Sequence, residues 1–562
     1  MGGNLLRKLL ILLLVVFVAS FGFMGCDPAD PEEIAEEEEK EPEEDVDEEE
    51  EELEQAITHA IWSEPDGLFN YCEYESTYDL DAFNQVFDGM MEADPHADLE
   101  LNPNLAEEHE ISDDGKTFYY KLRDDIEFHD GEPLTAEDVK FTFEWMCHED
   151  YIGPRASYWQ HLEGFDEYRA GEADEVEGIE IISDHEIEFH FEQVDASAVY
   201  YVSTWGISPK HVWEDIPVGE RREAPEMTEP IGTGPFEFEE YVEGQYVELV
   251  ANEDYHRGEP ELERITVEVK SPDVVRADLE TGEVDIAEVP PDESEWDDYE
   301  AHDELALEYY PTNGYQYMGM NLRDESIFSD HAVREAATYA INREGMVDGI
   351  LDGLGKVQNS HFSPNQWAYD EDLDTYPHDP DKAEEILEDA GYTKNDDGIW
   401  EQNGEPLEFT LLYPTGDEPR EQAALIIEQD LQGIGIDITL ESLEFATLSD
   451  RVFDEIDFDA YLMGWSLGAD PDPTGIWGPD ERFNAVGFVH PESDELMEQG
   501  LRTTDRDERR EHYVEWQRLL QEEMPYVFLY ADYEGYAYNN DIQVFEPNPW
   551  NIWYDVHEWY LE

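Results

Sequence analysis

The sequence predicts an α/β protein with several domains, and two observations lead to this expectation. In the C-terminal half, apolar strands over residues 407–413 and 436–440 flank a helix over residues 421–431, which Gly433 ends. Because a strand–helix–strand order needs a crossover connection, these strands are expected to pair in parallel in one sheet. The second observation is length, since the chain has 562 residues and domains take roughly 100–200 residues each.

Local signals place the N-terminal elements in order. Residues 56–62 indicate a strand, and residues 80–91 indicate a helix that ends near Asp94. Two further strands are expected around Asp114-Gly115, a dipeptide that type I′ turns favour. The next helix is predicted from a capping box and an apolar face, formed by Thr135 with Asp138 and by Val139, Phe143 and Met146.

The C-terminal half carries similar signals. Asp379, Pro380 and Gly391 have the N-cap, N1 and C′ positions of a helix. Its inward face is expected to contain Ala383, Ile386, Leu387 and Ala390. A strand over residues 461–463 follows a further helix, and residues 525–530 indicate a strand near the C-terminus.

The net charge of -117 is the dominant property of the composition. It excludes nucleic acid as a default partner, because phosphate binding needs a basic surface. A uniformly acidic surface with few lysines is typical of halophilic proteins that stay soluble in concentrated salt, where screening acts over about 3 Å at 1 M. We therefore predict partial unfolding in low salt.

The N-terminus is typical of an export signal over residues 1–26. Two basic residues precede an apolar run over residues 9–23, and Gly25-Cys26 follows. The end of the run resembles a bacterial lipoprotein cleavage box with Cys26 as the lipidated residue, although Phe23 stands where leucine is usual. An uncleaved membrane anchor is the alternative. Residues 27–54 are almost all acidic and are expected to form an extended tether outside the cytoplasm.

Other chemistries find little support in the sequence. Cys72 and Cys147 are far apart, so a disulfide and two buried thiols both stay open. The histidines have no metal-ligand spacing, and neither a metal site nor a cofactor is expected. Paired carboxylates cannot argue for a glycosidase in so acidic a chain, and no nucleophile elbow is present.

A loop over residues 464–477 is the strongest candidate site from the residues alone. It leaves a buried strand, where α/β folds place ligands. It carries two tryptophans and two carboxylates, a composition that is common in small-molecule pockets. These residues are Trp465, Asp470, Asp472 and Trp477.

Several strings resemble one known family. They are LNPNLAEEHEISDDGKTFYYKLRDDIEFHDGEPLTAEDVKFTF (101–143), SPKHVW (208–213), IGTGPF (231–236), YHRG (255–258), MGMNL (318–322) and VREAATYAI (333–341). In this order and spacing they resemble the extracytoplasmic solute-binding proteins for peptides and nickel, family 5, which are the receptors of ABC importers. The resemblance spans nearly everything after residue 54.

The resemblance implies a two-lobe periplasmic-binding-protein fold, with mixed sheets flanked by helices and a hinge between the lobes. The expected domains are a first lobe (55–92, 229–310 and 525–562), an inserted subdomain (93–228) and a second lobe (311–524). It implies a monomeric receptor, not an enzyme, that captures a short peptide and delivers it to a membrane permease.

The resemblance also implies roles for residues of the 464–477 loop. Asp470, in the dipeptide Ala469-Asp470, matches the family aspartate that pairs with the α-ammonium of a peptide. The local spacing departs from the family, so Asp472 is an alternative, and an aspartate that starts a turn is another. Trp465 matches a tryptophan beside the ligand, with a core position as its alternative.

Further ligand contacts are expected from two other segments. The loop at residues 153–159 resembles one whose aromatic residues reach the cleft, here Tyr158 and Trp159. Its Arg155 has two interpretations, a ligand carboxylate or an internal salt bridge. Glu75, Ser76 and Thr77 match a segment that pairs its main chain with an extended peptide, and a surface loop is the alternative.

Three other functions stay open. The same fold could bind an oligosaccharide, a metal chelate or another cationic solute. A secreted hydrolase would turn over a peptide or glycoside, and a structural surface protein would show no ligand-induced closure.

Overall fold

A single long strand, Tyr526–Asn539, connects the two lobes of the protein in the computed structural model, which describes residues 55–562 except 325 and 480. The first part of this strand pairs antiparallel with Gly314–Met320. Its second part pairs antiparallel with Ile286–Val289 and Leu305–Pro311. The strand that was expected at 525–530 is thus present, but it runs on through both lobes.

The first lobe is built on the second part of this strand. Ala56–Ile61 lies between Ile286–Val289 and Arg264–Val269 and is parallel to both, which confirms the predicted first strand. Antiparallel strands complete the sheet, and helices lie beside it. These elements are Tyr246–Ala251, Phe236–Val242, Pro272–Thr281 and Glu293–Glu300.

The helix predicted over residues 80–91 is too long. The α-helix is Thr77–Phe83, one 3₁₀ turn follows, and Met91–Asp94 is a strand paired with Glu100–Pro103. Close packing explains the difference, because a Cβ on Gly89 would lie 2.7 Å from the Thr204 carbonyl. The chain therefore passes this point in a conformation that tertiary contacts decide.

The inserted region packs a four-stranded antiparallel sheet against helices. The strands in spatial order are Ala106–Ile111, Thr117–Leu122, Glu186–His190 and Ile179–Ser183. The helices are Ala136–Cys147, Phe165–Arg169, Ala196–Thr204 and Lys210–Trp213.

Two predictions for this region can be compared with the structure. Both bonds of the Thr135–Asp138 capping box are present, and the three predicted apolar residues of that helix are fully buried. The strands around Asp114-Gly115 pair as expected. Only Gly115 has a positive φ, however, so the connection is not a type I′ turn, which needs two such residues.

The second lobe contains the predicted parallel strands. Glu408–Pro414 pairs in parallel with Asp437–Leu443 and with Ala460–Ser466. Ala460–Ser466 then pairs antiparallel with Gly314–Met320, beside the long strand. The helices of eight or more residues in this lobe are His331–Ala340, Arg343–Ile350, Pro380–Asp389, Glu418–Ile434, Pro491–Leu501 and Arg506–Glu523.

Helix ends in this lobe differ from the prediction in detail. The helix Glu418–Ile434 passes through Gly433 and ends at Gly435, whose φ of 97° suits glycine. Pro380–Asp389 begins at its expected cap, Asp379, but Ala390 is exposed rather than inward. Both deviations lie at helix ends, where local signals are weakest.

The lobes connect at two places. One connection follows Leu305–Pro311, and the other lies inside the long strand near residues 531–533, where its pairing changes from the second lobe to the first. The domain boundaries stay predictions. The pairing favours a second crossing at 531–533 rather than at 524, because residues 526–530 pair with the second lobe.

Cys72 and Cys147 are free thiols buried in the core of the inserted region. Burial raises the pKa of both thiols. None of the helices in the described part of the chain is long and apolar enough to span a membrane. The export signal, Cys26 and the acidic tether lie outside the described residues.

Candidate functional site

A cavity of about 350 Å³ lies where the first lobe, the inserted region and the second lobe meet. The first lobe and the inserted region form most of its wall. The second lobe contributes Gly468 and Ala469, from the loop that follows the strand Ala460–Ser466. This volume is within the range of small-molecule pockets, about 300–1,000 Å³.

Aromatic side chains form one wall of the cavity. Tyr158 stacks on Tyr201, with 4.6 Å between ring centroids, and meets Trp205 edge to face. The helix Ala196–Thr204 positions Tyr201, and burial raises the pKa of its hydroxyl, which keeps it a neutral hydrogen-bonding group. Tyr158 is 39% exposed, so its ring is available to a ligand.

The second lobe approaches the aromatic wall most closely at Gly468. A Cβ on Gly468 would lie 3.3 Å from the Tyr201 hydroxyl oxygen. Any larger residue at position 468 would therefore press against the tyrosine. The contact places the predicted loop beside the aromatic wall, but only through Gly468 and Ala469.

Asp470 lies next to the cavity but already has a cationic partner. Arg509 donates two hydrogen bonds to its carboxylate, both 2.8 Å long. The side chains are 5% and 7% exposed. A peptide ammonium at Asp470 would therefore have to compete with a bidentate guanidinium, which is a strong partner for a carboxylate.

Asp472 does not line the cavity. Its carboxylate accepts a 3.0 Å hydrogen bond from the Thr474 amide, an arrangement typical of turns. Burial raises its pKa to about 6, and the charge of Asp470 adds to this effect.

Trp465 packs into the second lobe. Its ring is stacked over Tyr317 and meets Phe483 edge to face, with centroid distances of 5.9 and 5.4 Å. It does not line the cavity. Trp465 is half-buried in this packing, which agrees with the core alternative, whereas Trp477 is fully buried.

Trp159 lies behind the cavity wall. Its side chain is fully buried, and its ring contacts Phe143 and Trp205 at 4.8 and 6.1 Å. It supports Trp205 and does not reach the cavity itself. Burial of this large apolar ring in the core of the inserted region is favourable, which explains the position of Trp159.

The segment 75–77 is at the surface. Glu75 accepts a 2.5 Å hydrogen bond from Arg222, and Ser76 caps the helix Thr77–Phe83 by accepting from the Tyr78 amide. None of the three predicted residues lines the cavity, whereas Tyr74 does. Main-chain pairing with a peptide here stays a prediction.

The structure adds site residues that the sequence did not single out. Arg257 lines the cavity and pairs with Glu92 and Asp555, each at 2.6 Å. Arg257 belongs to the YHRG string, so the family resemblance could have indicated it as a site residue. Trp553 and Asn551 line the cavity from a C-terminal loop without regular pattern, and no local signal points to them.

Arg155 lines the cavity without an acidic partner. Its guanidinium carbon lies 4.0 Å from the centre of the Tyr74 ring, and its side chain forms no hydrogen bond or ion pair with another described residue. The internal salt bridge that the sequence left open is therefore wrong for this arginine.

Within the described residues, the group suited to a metal ion is Glu180, Glu188 and His190 on the sheet of the inserted region. It does not line the cavity.

The family model for bacterial extracellular solute-binding proteins, family 5 (middle part), matches residues 100–483. The chain belongs to this family. Family 5 proteins are two-lobe, non-enzymatic, extracytoplasmic receptors of ABC transporters, so the expected family and fold are confirmed.

Family 5 relatives cover most of the chain. It is 30% identical to the oligopeptide-binding protein AppA of Bacillus subtilis over 506 residues, which is 88% of this chain and 89% of AppA. It is 27% identical over 484 residues to the peptide transport periplasmic protein SapA of Salmonella typhimurium, covering 82% and 83%.

Solved family 5 structures are similar over the same extent. B. subtilis AppA in complex with a nonapeptide has a TM-score of 0.71 and 29% identity, covering 90% of this chain and 99% of AppA. NikZ of Campylobacter jejuni in complex with Ni(L-His) has a TM-score of 0.71 and 25% identity, covering 90% and 100%. The family therefore includes receptors with different cargo.

Proposed function

We propose that this family 5 protein captures a short peptide in the cavity between its lobes and delivers it unaltered to the permease of an ABC importer. The observation that carries the proposal is the position of the cavity. It is lined by the first lobe, the inserted region and the Gly468-Ala469 loop of the second lobe. A ligand in this position contacts both lobes at once.

Contacts with both lobes provide the mechanism. A ligand that bridges the lobes favours the closed form by its differential affinity for that form, and this difference drives closure. Two chain connections, after Pro311 and near 531–533, are positioned to act as the hinge. Tyrosine and tryptophan rings supply a rigid wall that accepts varied side chains.

Peptide cargo is supported by the relatives. AppA and SapA are named for oligopeptides and peptide transport, and the AppA structure contains a nonapeptide. Calorimetry with pools of tripeptides to nonapeptides, paired with solution scattering, tests the proposal. We expect heat of binding and a smaller radius of gyration with peptide. Absence of both effects, or cleaved peptide in the mixture, would contradict it.

A different cargo is a second candidate. The Asp470 carboxylate is held by Arg509, which leaves no free acid at the position expected for a peptide ammonium. A metal chelate, as in NikZ, needs no such acid. Equal affinity for free and N-acetylated peptides would remove the role of Asp470 as an ammonium ligand.

We also propose that a lipid on Cys26 anchors the receptor outside the cytoplasm through the acidic tether. Mass spectrometry of the protein from the membrane fraction should show a mature chain that begins at a lipid-modified Cys26 and lacks residues 1–25. A membrane-bound chain that keeps residues 1–25 would favour an uncleaved anchor instead.

A further inference from the structure

We propose that Arg155 is the anchor for a carboxylate of the ligand. The inference rests on the proposed function, because it takes the cavity as the place where peptide binds. It also specifies the charge of the preferred ligand, which would present a carboxylate to the wall that the inserted region forms.

Arg155 is buried and has no charged partner among the described residues. The Arg155 residue is 8% exposed and lines the cavity. Its guanidinium makes no hydrogen bond or ion pair with any other described group of residues 55–562, leaving out 325, 480 and the side chains of 272 and 273. A buried charge is costly unless it is paired and hydrogen-bonded.

The acidic composition makes an unpaired buried arginine unusual in this protein. The chain has 147 acidic and 30 basic residues, so acidic partners are abundant. Other buried or half-buried arginines near the cavity have them: Arg257 pairs with Glu92 and Asp555, and Arg509 pairs with Asp470. Arg155 differs from these neighbours in that it lines the cavity without an ion pair to a described acid.

The buried acid Glu73 makes no hydrogen bond or ion pair with Arg155. Glu73 accepts a 2.9 Å hydrogen bond from the Trp145 indole and lies 3.5 Å from Arg222. Burial raises the pKa of Glu73 to about 7, so its charge is weakened at neutral pH. Glu73 therefore does not provide the hydrogen-bond acceptors that Arg155 lacks.

Aromatic rings contact the Arg155 guanidinium without accepting hydrogen bonds from its N–H groups. Its carbon lies 4.0 Å from the Tyr74 ring centre and 5.6 Å from that of Trp205. Cation–π contacts stabilise the charge while the N–H donors stay free. The loop is tightly packed as well, because a Cβ on Gly153 would lie 2.2 Å from the Tyr151 hydroxyl oxygen.

A carboxylate is the ligand group that best matches the unpaired guanidinium of Arg155. The planar guanidinium presents parallel donors that match both oxygens of a carboxylate. A peptide supplies such a group at its C-terminus, whereas an amide supplies a single weaker acceptor and an ammonium would be repelled. Arg155 therefore binds the C-terminal carboxylate of the peptide rather than another part of it.

The test compares peptides that differ only at the C-terminus. Pools of uncharged tripeptides and pentapeptides are offered to the full protein as free acids and as C-terminal amides, and binding is followed by calorimetry. Wild type should bind the acids about tenfold to hundredfold more tightly. Arg155→Met should abolish this preference, and Arg155→Lys should retain part of it.

A matched control removes a positive charge elsewhere. Arg123 is paired with Asp125 at the surface and does not line the cavity. Arg123→Met should keep the wild-type preference for acids. Thermal melts of all variants identify any that fail to fold, and Arg155→Lys keeps the charge if Arg155→Met is unstable.

The outcomes separate this inference from the proposed function. Wild type that binds acids and amides equally, or Arg155→Met that keeps the preference, would overturn the role of Arg155 and leave the peptide receptor intact. Wild type that binds neither pool would overturn the peptide receptor and the carboxylate anchor together.

Discussion

Asp470 and Arg509 form a buried bidentate ion pair, with two hydrogen bonds of 2.8 Å between the guanidinium and the carboxylate. The Arg509 side chain also donates to the Gly500 carbonyl and the Tyr513 hydroxyl. The pair fastens the helix Arg506–Glu523 to the loop that carries Gly468 and Ala469. This loop is the contribution of the second lobe to the cavity.

Breaking this pair from one side should destabilise the protein strongly. Arg509→Met leaves the buried Asp470 charge without a partner, which typically costs about 3–5 kcal/mol. Denaturation by urea should show this loss. Adding Asp470→Asn should recover part of it, because the unpaired charge is then gone. A small loss in the single variant would mean that solvent or another cation replaces Arg509.

Gly468 should control how closely the second lobe approaches the aromatic wall. In Gly468→Leu the new side chain collides with the Tyr201 hydroxyl, since even a Cβ would lie 3.3 Å from it. We expect peptide affinity to fall by about tenfold, or 1.4 kcal/mol, with little change in melting temperature. Calorimetry measures the first and a thermal melt the second.

Gly475 provides the matched control for that substitution. It lies in the same loop region, and a Cβ there has no other atom within 4 Å. Gly475→Ala should leave peptide affinity unchanged. Equal affinity of Gly468→Leu and wild type would mean that the second lobe does not touch the ligand at this point.

Glu288 should make stability depend on pH. Burial, with the charges of Glu534 and Asp81, raises its pKa from 4.5 to about 8. Below pH 4.5 it is protonated in both states. Between pH 4.5 and about 8, Glu288 loses its proton in the unfolded chain but keeps it in the folded protein. The free energy of unfolding therefore falls as pH rises through this range, and the whole loss is reached above pH 8.

Glu288→Gln should relieve that penalty. Above pH 8 the variant should be more stable than wild type by about 1–3 kcal/mol, and below pH 4.5 the two should be similar. Urea denaturation at both pH values measures the difference. Glu308→Gln is the control, because Glu308 is exposed and lies across the long strand from Glu288, with Tyr536 between them. A pH-independent difference would contradict the assignment.

Salt should stabilise the folded protein as a whole. The net charge of -117 produces self-repulsion that dissolved ions screen. We expect the melting temperature to fall when salt is lowered from molar to millimolar concentration, with partial unfolding at the low end. An unchanged melting temperature would show that the acidic surface does not need screening.

Much of the fold followed from neighbours in the sequence. The Thr135–Asp138 capping box and the Asp379 cap involve residues three or fewer apart, and the parallel strands around Glu418–Ile434 follow from alternating strand and helix patterns. The resemblance strings then identified the family. These patterns can be recognised without the tertiary structure, because each involves residues of one element or of two consecutive elements.

The partners of the site residues depended on tertiary structure alone. Asp470 and Arg509 are 39 positions apart, and no local pattern favours this pair over a ligand ammonium. Arg155 lacks a partner although acids are abundant, which follows from what packs around Tyr74 and Trp205. Local sequence determined the elements, whereas packing between distant elements decided which charges are neutralised and which are left for a ligand.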